Sequence, residues 1–301
     1  MTPTIRIEAP NIGEATAALD GDRALVVNIP EPAARAAADE SAKVPLRIGF
    51  HPTPSEYGIW LTKLPTPWFT RVFFPPGRSL PAWGGNAING LPATTIRHIS
   101  FKDRVAPAVI VAFLNSIPAS VAQVWLTWNH EGDIDWAGDI DGYINYWKML
   151  RDTVDGHPAR PRITLINVHT QYAARYKRQQ MDWRAFMLPG VADVDSWDCY
   201  RPAIPDVYEA PEALLGLALT AGAEFGVRTH ITEFGSHLTS WDTDGTGLAT
   251  WYREACSVMD DAGVEAVGFW CNVDGKLEYR PMKAALLAQW KTLMTKYNAV
   301  R

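Results

Sequence analysis

Eight short runs of β-branched and aromatic residues recur after residue 44, and this repetition constrains the fold more than any other feature of the chain. Segments with apolar residues three and four positions apart, typical of amphipathic helices, stand between several of the runs. A strand followed by a helix, repeated eight times, is the plan of the (β/α)8 TIM barrel, an α/β fold of about 250 residues. We therefore predict such a barrel over residues 45–301, with strands at 46–50, 69–74, 97–101, 124–128, 163–168, 191–197, 228–232 and 266–270.

Residues 1–44 lack this alternation and are predicted to form an N-terminal extension. Two β-like runs, at 5–7 and 24–29, indicate a short hairpin. The Ala- and Glu-rich stretch 31–43 follows and suits a tether. Such an extension could attach the barrel to a larger assembly.

The segment 77–95 shows no helical period and is rich in Gly, Pro and Asn. It follows the second predicted strand, where the barrel plan calls for a helix. We expect a long loop there that lines the binding cleft, since long loops at the upper rim of a barrel often do so.

The composition indicates a folded protein without a nucleic-acid or membrane partner. The net charge is −5 and no long basic run occurs, whereas a nucleic-acid partner would favour clustered Lys and Arg. The three cysteines are scattered and form no CxxC spacing, so we expect no disulfide framework, no metal and no other cofactor. The first residues lack the continuous apolar segment of a signal peptide. The localisation is therefore undetermined, and extracellular or phage-associated action fits the sequence.

Two glutamates that follow apolar runs are the main candidates for chemistry. Glu131 comes shortly after the fourth run and Glu233 after the seventh, so a barrel would bring both to the rim at the carboxyl ends of its strands. Glycoside hydrolysis requires such a pair: one carboxyl group donates a proton to the leaving oxygen, and the other attacks or stabilises the anomeric carbon. Taken alone, either glutamate could equally be a solvated carboxylate or half of an ion pair.

Other polar and aromatic residues fall at the same predicted rim and are candidates for contact with an oligosaccharide or polysaccharide substrate. The histidines among them could instead be hydrogen-bonded structural residues, and the loop tryptophans could anchor loops on the barrel rather than stack against sugar rings. The predicted substrate-binding residues are His51, Trp83, Lys102, Asn129, His130, Trp136, His169, Tyr172, Asp198, Tyr200, Trp241 and Trp270.

The sequence around the two glutamates resembles the clan A retaining glycoside hydrolases and looks most like family 26, the β-mannanase group. His130 and Glu131 resemble the acid/base pair of that family, and Ile-Thr-Glu-Phe-Gly at 231–235 resembles its nucleophile motif. The stretch 192–200, which ends in Asp-x-Tyr, resembles its sixth strand, and Val-Gly-Phe-Trp at 267–270 with the Tyr-Arg beyond it resembles its eighth. The similarity covers the second half of the barrel, where four elements occur in the family's order.

The resemblance implies hydrolysis by double displacement with retention of configuration. Glu233, ionised, would attack the anomeric carbon, while Glu131, protonated, would release the leaving group and then activate water. Tyr200 would hydrogen-bond Glu233, and Trp270 would form the floor under the sugar ring at the cleavage point. The implied activity is that of an endo-acting hydrolase of a β-mannan-like or related β-linked polysaccharide.

The chain departs from the family at positions that would determine substrate specificity. Leu-Thr-Trp-Asn at 126–129 stands where the family usually carries Arg-Pro, and Lys102 stands where it tends to present a histidine. The first half of the barrel shows little match. The resemblance therefore supports the catalytic machinery more than it supports a mannan substrate.

Two alternatives belong to other classes. The barrel could be a catalytically weak carbohydrate-binding or adhesive protein, attached through residues 1–44 to a larger assembly such as a phage particle. It could also be a metal-dependent hydrolase or deacetylase that uses His51, Asp103 and His169, although no HExxH motif is present.

Overall fold

In the computed structural model, the chain divides into two compact units. These are Met1–Val44 and Pro45–Arg301. The described residues are 5–9, 12–20, 24–28, 44–78, 80–83, 91–176, 182–275 and 277–299.

The first unit contains a three-stranded antiparallel sheet in the order β1-β2-β3. Its strands are β1 (Ile5–Ala9), β2 (Ile12–Asp20) and β3 (Ala24–Asn28). The predicted hairpin is therefore one strand short. The middle strand escaped prediction because its sequence, IGEATAALD, has few large apolar residues and no clear alternation. The stretch 31–43, predicted as a tether, lies outside the described residues.

The second unit is a barrel of eight parallel strands, in the order β4-β11-β10-β9-β8-β7-β6-β5. Trp68, which leads into β5, donates its backbone N–H to Ile48 of β4 at 2.9 Å and so joins the two ends of the sheet. The predicted (β/α)8 fold is confirmed. The strands are β4 (Arg47–Pro52), β5 (Phe69–Phe74), β6 (Ile96–Phe101), β7 (Val124–Trp128), β8 (Ile163–Thr170), β9 (Val194–Tyr200), β10 (Thr229–Gly235) and β11 (Ala266–Cys271).

Helices alternate with these strands and cover the outside of the barrel. The described part of segment 77–95 contains no α-helix, as its composition predicted. Among the described residues, no helix is long and apolar enough to cross a membrane. The helices are α1 (Tyr57–Lys63), α2 (Pro107–Ser116), α3 (Gly132–Asp135), α4 (Ile140–Asp155), α5 (Gln171–Tyr176), α6 (Pro211–Phe225), α7 (Thr246–Asp261) and α8 (Ala284–Asn298), and a two-stranded ribbon, β12 (Val273–Asp274) and β13 (Leu277–Glu278), follows β11.

The inside of the barrel changes from apolar to polar along the strands. Side chains two positions apart on a strand share a face, so Arg71 lies on the same inward face as Phe69, and Asp198 on the same face as Val194. The lower, apolar layer is a cluster of Phe69, Ile96, Trp125, Ile166, Val168, Val194 and Ala266. The buried polar side chains therefore collect at the carboxyl ends of the strands.

Three buried histidines lie inside the barrel, and their environment makes the fold sensitive to acid. Burial lowers the pKa of His51 to about 3 and, together with nearby Arg71, lowers the pKa of His98 well below 6.5. Burial also lowers the pKa of His230. Each folded-state pKa lies below the unfolded value. The free energy of unfolding that these neutral histidines permit is therefore fully present above pH 6.5 and is lost as the pH falls below it.

We expect His98→Gln to weaken this acid dependence. His98 Nε2 bonds Thr127 Oγ1 at 2.7 Å, and glutamine keeps a polar group there without a proton to take up. One such histidine costs about 2 kcal/mol of unfolding free energy between pH 7 and pH 5. Urea unfolding at both pH values should show a correspondingly smaller loss in the variant than in the wild type. An equal loss in both proteins would contradict the assignment.

Candidate active site

Glu233 lies near the carboxyl end of β10, and both of its carboxyl oxygens accept hydrogen bonds. Arg71 Nη1 donates to Oε1 at 2.8 Å, and the Tyr200 hydroxyl donates to Oε2. The same Arg71 nitrogen donates to both oxygens of Asp198, at 3.1 Å each. Asp198 and Tyr200 stand two residues apart on β9, and Asp198 is the strand neighbour of Glu233. The orientation of the Glu233 carboxyl group is thus fixed from two sides.

One cation serves two buried carboxyl groups in this cluster. Burial raises the pKa of Asp198 well above its ordinary value, and Arg71 opposes the rise. Burial also raises the pKa of Glu233, against which Arg71 and the Tyr200 hydroxyl both act. Burial disfavours the charged form of Arg71, but Asp198 and Glu233 outweigh it and raise the pKa of the guanidinium. Arg71 therefore keeps its charge, and the two carboxyl groups compete for it.

Glu131 lies beyond the end of β7, in a sharp turn. Its backbone is left-handed, with φ 58°, and so is that of Asn129, with φ 48°. Such a conformation costs of order 1–3 kcal/mol in a non-glycine residue and is concentrated at functional sites. The Glu131 N–H donates to the Val168 carbonyl on β8 at 2.8 Å, which holds the turn against the neighbouring strand. The half-buried Glu131 side chain is near enough to raise the pKa of both Glu233 and Asp198 by repulsion of like charge.

His130 and Lys102 flank Glu131. His130 Nδ1 lies 2.8 Å from Ser100 Oγ, and burial, with Arg71 and Lys102, lowers the pKa of His130 well below 6.5. Lys102 Nζ donates to the His130 carbonyl at 2.7 Å and to Asp135 at 2.6 Å. A neutral imidazole therefore adjoins Glu131 in the chain, and the Lys102 amino group is tethered to the His130 carbonyl.

Aromatic side chains complete the rim. The ring of Trp270 meets Phe73 edge-on at 5.8 Å and Tyr200 at 6.2 Å, between centroids. His51 lies deeper, where its Nε2 bonds the Thr232 carbonyl at 2.7 Å and its Nδ1 accepts the Arg71 N–H at 2.8 Å. Because both ring nitrogens are bonded to the main chain, His51 shapes the site and has no nitrogen left for substrate.

Asn129, another predicted substrate contact, is buried beside this turn. Its N–H donates to the Phe101 carbonyl at 2.7 Å. Its side-chain oxygen is buried and has no hydrogen-bond partner within the part of the chain that the structure describes. This atom can accept a hydrogen bond.

Three further predicted substrate contacts, Trp83, Trp136 and His169, pack against other side chains of the protein. Trp83 is buried in the outer core against Phe113, so it anchors its loop. The ring of Trp136 packs on Trp128, and the Arg104 guanidinium lies 4.0 Å from its centroid, so a sugar would have to displace that group.

His169 lies on the outer face of the barrel. Val168, its neighbour on β8, faces the interior, so the His169 side chain points towards the helices. There its Nε2 lies 3.2 Å from Asp195 and 3.0 Å from Asn167, and its ring packs on Trp197.

Tyr172 and Trp241 are exposed aromatic residues on segments that follow β8 and β10. Their side chains are 56% and 59% exposed. Tyr172 lies beside Tyr176, at 5.3 Å between centroids, and Trp241 meets Tyr208 at the same distance. Both present exposed ring surface outside the central cluster.

The residues of the metal-dependent alternative are engaged separately. Asp103 Oδ1 accepts the Gly77 N–H at 3.0 Å, while His51 and His169 make the contacts given above. In the described ranges, no group of three or more His, Cys, Asp or Glu side chains could hold a metal ion. The histidines and aspartate of that alternative are therefore not brought together.

Arg71 was missed by the sequence reasoning, although its signal is readable. It stands in the middle of Phe-Thr-Arg-Val-Phe-Phe, the sequence of β5. Alternation along the strand places it on the inward face with Phe69 and Phe73. A buried charge in that position requires partners of opposite charge, and the carboxyl groups at the rim supply them.

We expect Tyr200→Phe to slow turnover without unfolding the protein. The variant loses the hydroxyl that donates to Glu233. Without that hydroxyl the Glu233 carboxyl group can turn from its fixed orientation, and because misplacement of a reacting group costs on the order of 100-fold, kcat should fall roughly 10- to 100-fold. Tyr208→Phe is the matched control, because the Tyr208 hydroxyl donates to Asp242 at 2.6 Å, outside the cluster. Equal kcat losses in the two variants would show that Tyr200 acts only through stability.

Comparison with known proteins gives matches in structure only. No protein-family model and no curated protein sequence matches the chain. A family 26 β-mannanase from Bacteroides ovatus superimposes with a TM-score of 0.52 at 12% identity, over 84% of this chain and 89% of that one. A family 5 broad-specificity endoglucanase from Clostridium longisporum gives 0.55 at 9% identity, over 78% and 83%. An endo-β-1,4-glucanase from Xanthomonas axonopodis pv. citri gives 0.51 at 11% identity, over 82% and 99%.

The chain shares the (β/α)8 barrel fold of these three enzymes. At these identities the likeness concerns the fold, and any activity has to be argued from the site itself. The shared barrel fold nevertheless agrees with the resemblance read from the sequence around Glu131 and Glu233.

Proposed function

We propose that this protein is a retaining β-glycosidase, an endo-acting hydrolase of a β-mannan-like or related β-linked polysaccharide. The observation that carries the proposal is that two carboxyl groups at the same rim of the barrel have different surroundings. Glu233 is clamped by Arg71 and Tyr200, whereas Glu131 is half-buried on a strained turn beside His130. A fixed carboxylate suits a nucleophile, and a separate carboxyl group suits an acid/base.

In the first step, Glu233 attacks the anomeric carbon as Glu131 donates its proton to the departing glycosidic oxygen. The C–O bond to the leaving group breaks while the bond to Glu233 forms. In the second step, Glu131 takes a proton from water, whose oxygen displaces Glu233 from the anomeric carbon. Both carboxyl groups end in their starting states.

Asp198 supports this division of roles. It is buried more deeply than Glu233, at 1% against 6% exposure, and burial raises the pKa of both carboxyl groups. Glu233 accepts hydrogen bonds from both the Arg71 guanidinium and the Tyr200 hydroxyl, so we expect it to stay ionised at neutral pH. Tyr200, which donates to Glu233, would then stabilise the nucleophile rather than compete with it.

Release of reducing ends from a panel of β-glycans tests the proposal. We expect cleavage of at least one of β-mannan, mixed-linkage β-glucan, xylan or an actinobacterial wall polysaccharide, with oligosaccharide products from internal cuts. The Glu131→Gln variant is the control for contaminating activity. Binding without release of reducing ends would instead favour the carbohydrate-binding alternative.

A further inference from the structure

A small cavity opens beside the catalytic cluster, between the ends of β4, β5 and β11. Its volume is about 110 Å³, well above the roughly 10–15 Å³ that one water molecule needs. Arg71 and Trp270 line it, so it adjoins both the clamp on Glu233 and the proposed floor of the cleavage site. Tyr57 of α1 forms part of its wall.

Two hydrogen-bond donors in the cavity wall are buried without a partner. Arg71 is 2% exposed, and its Nε–H has no hydrogen-bond partner in the described part of the chain, although its Nη atoms are engaged. Tyr57 is 8% exposed, and its hydroxyl is likewise unpartnered. An unpaired buried donor costs of order 1–3 kcal/mol. The cavity therefore favours a group that brings acceptor oxygen.

The protonation of Tyr57 keeps it a donor. Burial raises the pKa of Tyr57, and Thr70 opposes that rise. The Thr70 hydroxyl donates its own proton to the Phe50 carbonyl at 3.0 Å. Burial thus keeps the phenol neutral, and its hydroxyl can donate a hydrogen bond.

The charge of the surroundings favours a neutral acceptor over a carboxylate. The Arg71 guanidinium already shares its charge between Asp198 and Glu233. A further anion beside this cluster would be repelled by the nucleophile. A carbonyl oxygen, in contrast, can accept from both donors without adding charge.

The rest of the wall is mostly apolar. Its six apolar residues are Pro52, Pro54, Val72, Phe73, Leu91 and Trp270, and the polar residues His51, Thr53, Thr70 and Asn272 complete the lining. A short alkyl group would bury its surface there, which stabilises binding by about 25 cal/mol for each Å² removed from water. Two buried donors and six apolar residues in one wall match a carbonyl that carries a methyl group.

We propose that this cavity binds the O-acetyl group of an acetylated β-glycan. The carbonyl oxygen accepts from Arg71 Nε–H and the Tyr57 hydroxyl, and the methyl group packs on Phe73 and Leu91. The inference rests on the proposed glycosidase function and narrows its substrate class to glycans acetylated next to the cleavage point.

Paired substrates test the acetyl pocket. Natively acetylated glucomannan, galactomannan and xylan oligosaccharides are compared with their alkali-deacetylated forms, and an unacetylated uronate-containing oligosaccharide is added. We expect kcat/KM to be at least about tenfold higher for the acetylated member of at least one pair. Tyr57→Phe should reduce that preference about fivefold or more, with little change on the deacetylated form.

Tyr252→Phe is the matched control. Its hydroxyl is also buried without a hydrogen-bond partner in the described ranges, but it lies on α7 in the outer core. This variant should keep the full acetyl preference. Equal kcat/KM within every pair, preference for the uronate, or an unchanged preference in Tyr57→Phe would overturn the inference.

Binding measurements separate this inference from the proposed function. Calorimetry on the Glu131→Gln variant reports affinity without turnover. If the wild type hydrolyses a glycan but shows no acetyl preference in rate or affinity, the acetyl pocket is refuted and the proposed glycosidase function is supported. If acetylated glycans bind more tightly but no glycan is hydrolysed, the acetyl pocket is supported and the proposed glycosidase function is refuted.

Discussion

Replacing Glu233 with glutamine is expected to lower kcat by at least a factor of about a thousand, the scale on which loss of a covalent catalyst acts. The amide keeps the shape of the side chain but cannot attack the anomeric carbon. It also loses the charge that Arg71 neutralises, while Asp198 remains as a partner for that cation. Hydrolysis rates on the best glycan of the panel measure the effect, and near-ultraviolet circular dichroism checks the fold.

Glu131 should respond differently, and the difference separates the two roles. Glu131→Ala removes the acid/base but leaves the nucleophile, so substrates with good leaving groups should still form the glycosyl-enzyme. Azide, which needs no proton removed, should then restore turnover and give a β-glycosyl azide. A variant at either position with wild-type activity on polysaccharide would refute the pairing.

Removing Arg71 is expected to have the largest effect on stability. Arg71→Met leaves the carboxyl groups of Asp198 and Glu233 buried with no cation, and breaking a buried pair in this way typically costs about 3–5 kcal/mol. Urea unfolding at pH 7 measures the loss. Because both carboxyl groups have raised pKa values, they take up protons as the pH falls, and the deficit should shrink towards pH 5.

Arg228→Met provides the matched control for the loss of an arginine pair. Arg228 pairs with Glu265, but its side chain is 56% exposed, so its loss should cost no more than about 1 kcal/mol. If both variants lost a similar free energy of unfolding, the Arg71 cluster would contribute no more to stability than a surface ion pair does. A deficit in Arg71→Met that grew at acid pH would contradict the charge assignment.

The barrel was predictable because its signal is repeated. Each barrel strand contributes a dense β-branched or aromatic run, such as Val-Trp-Leu-Thr-Trp in β7, and tertiary packing reinforces the local preference. Strand β2 lacks such residues, so its pairing with β1 and β3, rather than its own composition, forms it.

The site was less predictable, because strand ends locate a residue but not the direction of its side chain. His169 follows Val168, and alternation along β8 turns it to the outer face, which a count of strand ends cannot register. Arg71 escaped for the opposite reason: it lies inside a strand rather than at its end. The burial of Trp83 could not be read from the sequence, because only packing shows which loop aromatics are buried.

The catalytic roles of Glu131 and Glu233 remain predictions, and the configuration of the first product tests them most directly. Proton NMR of the reaction, recorded before mutarotation, identifies the anomer that the enzyme releases. Double displacement at Glu233 with Glu131 as acid/base predicts that the β-anomer appears first from a β-linked glycan. Initial release of the α-anomer would show a single displacement by water and would contradict the account.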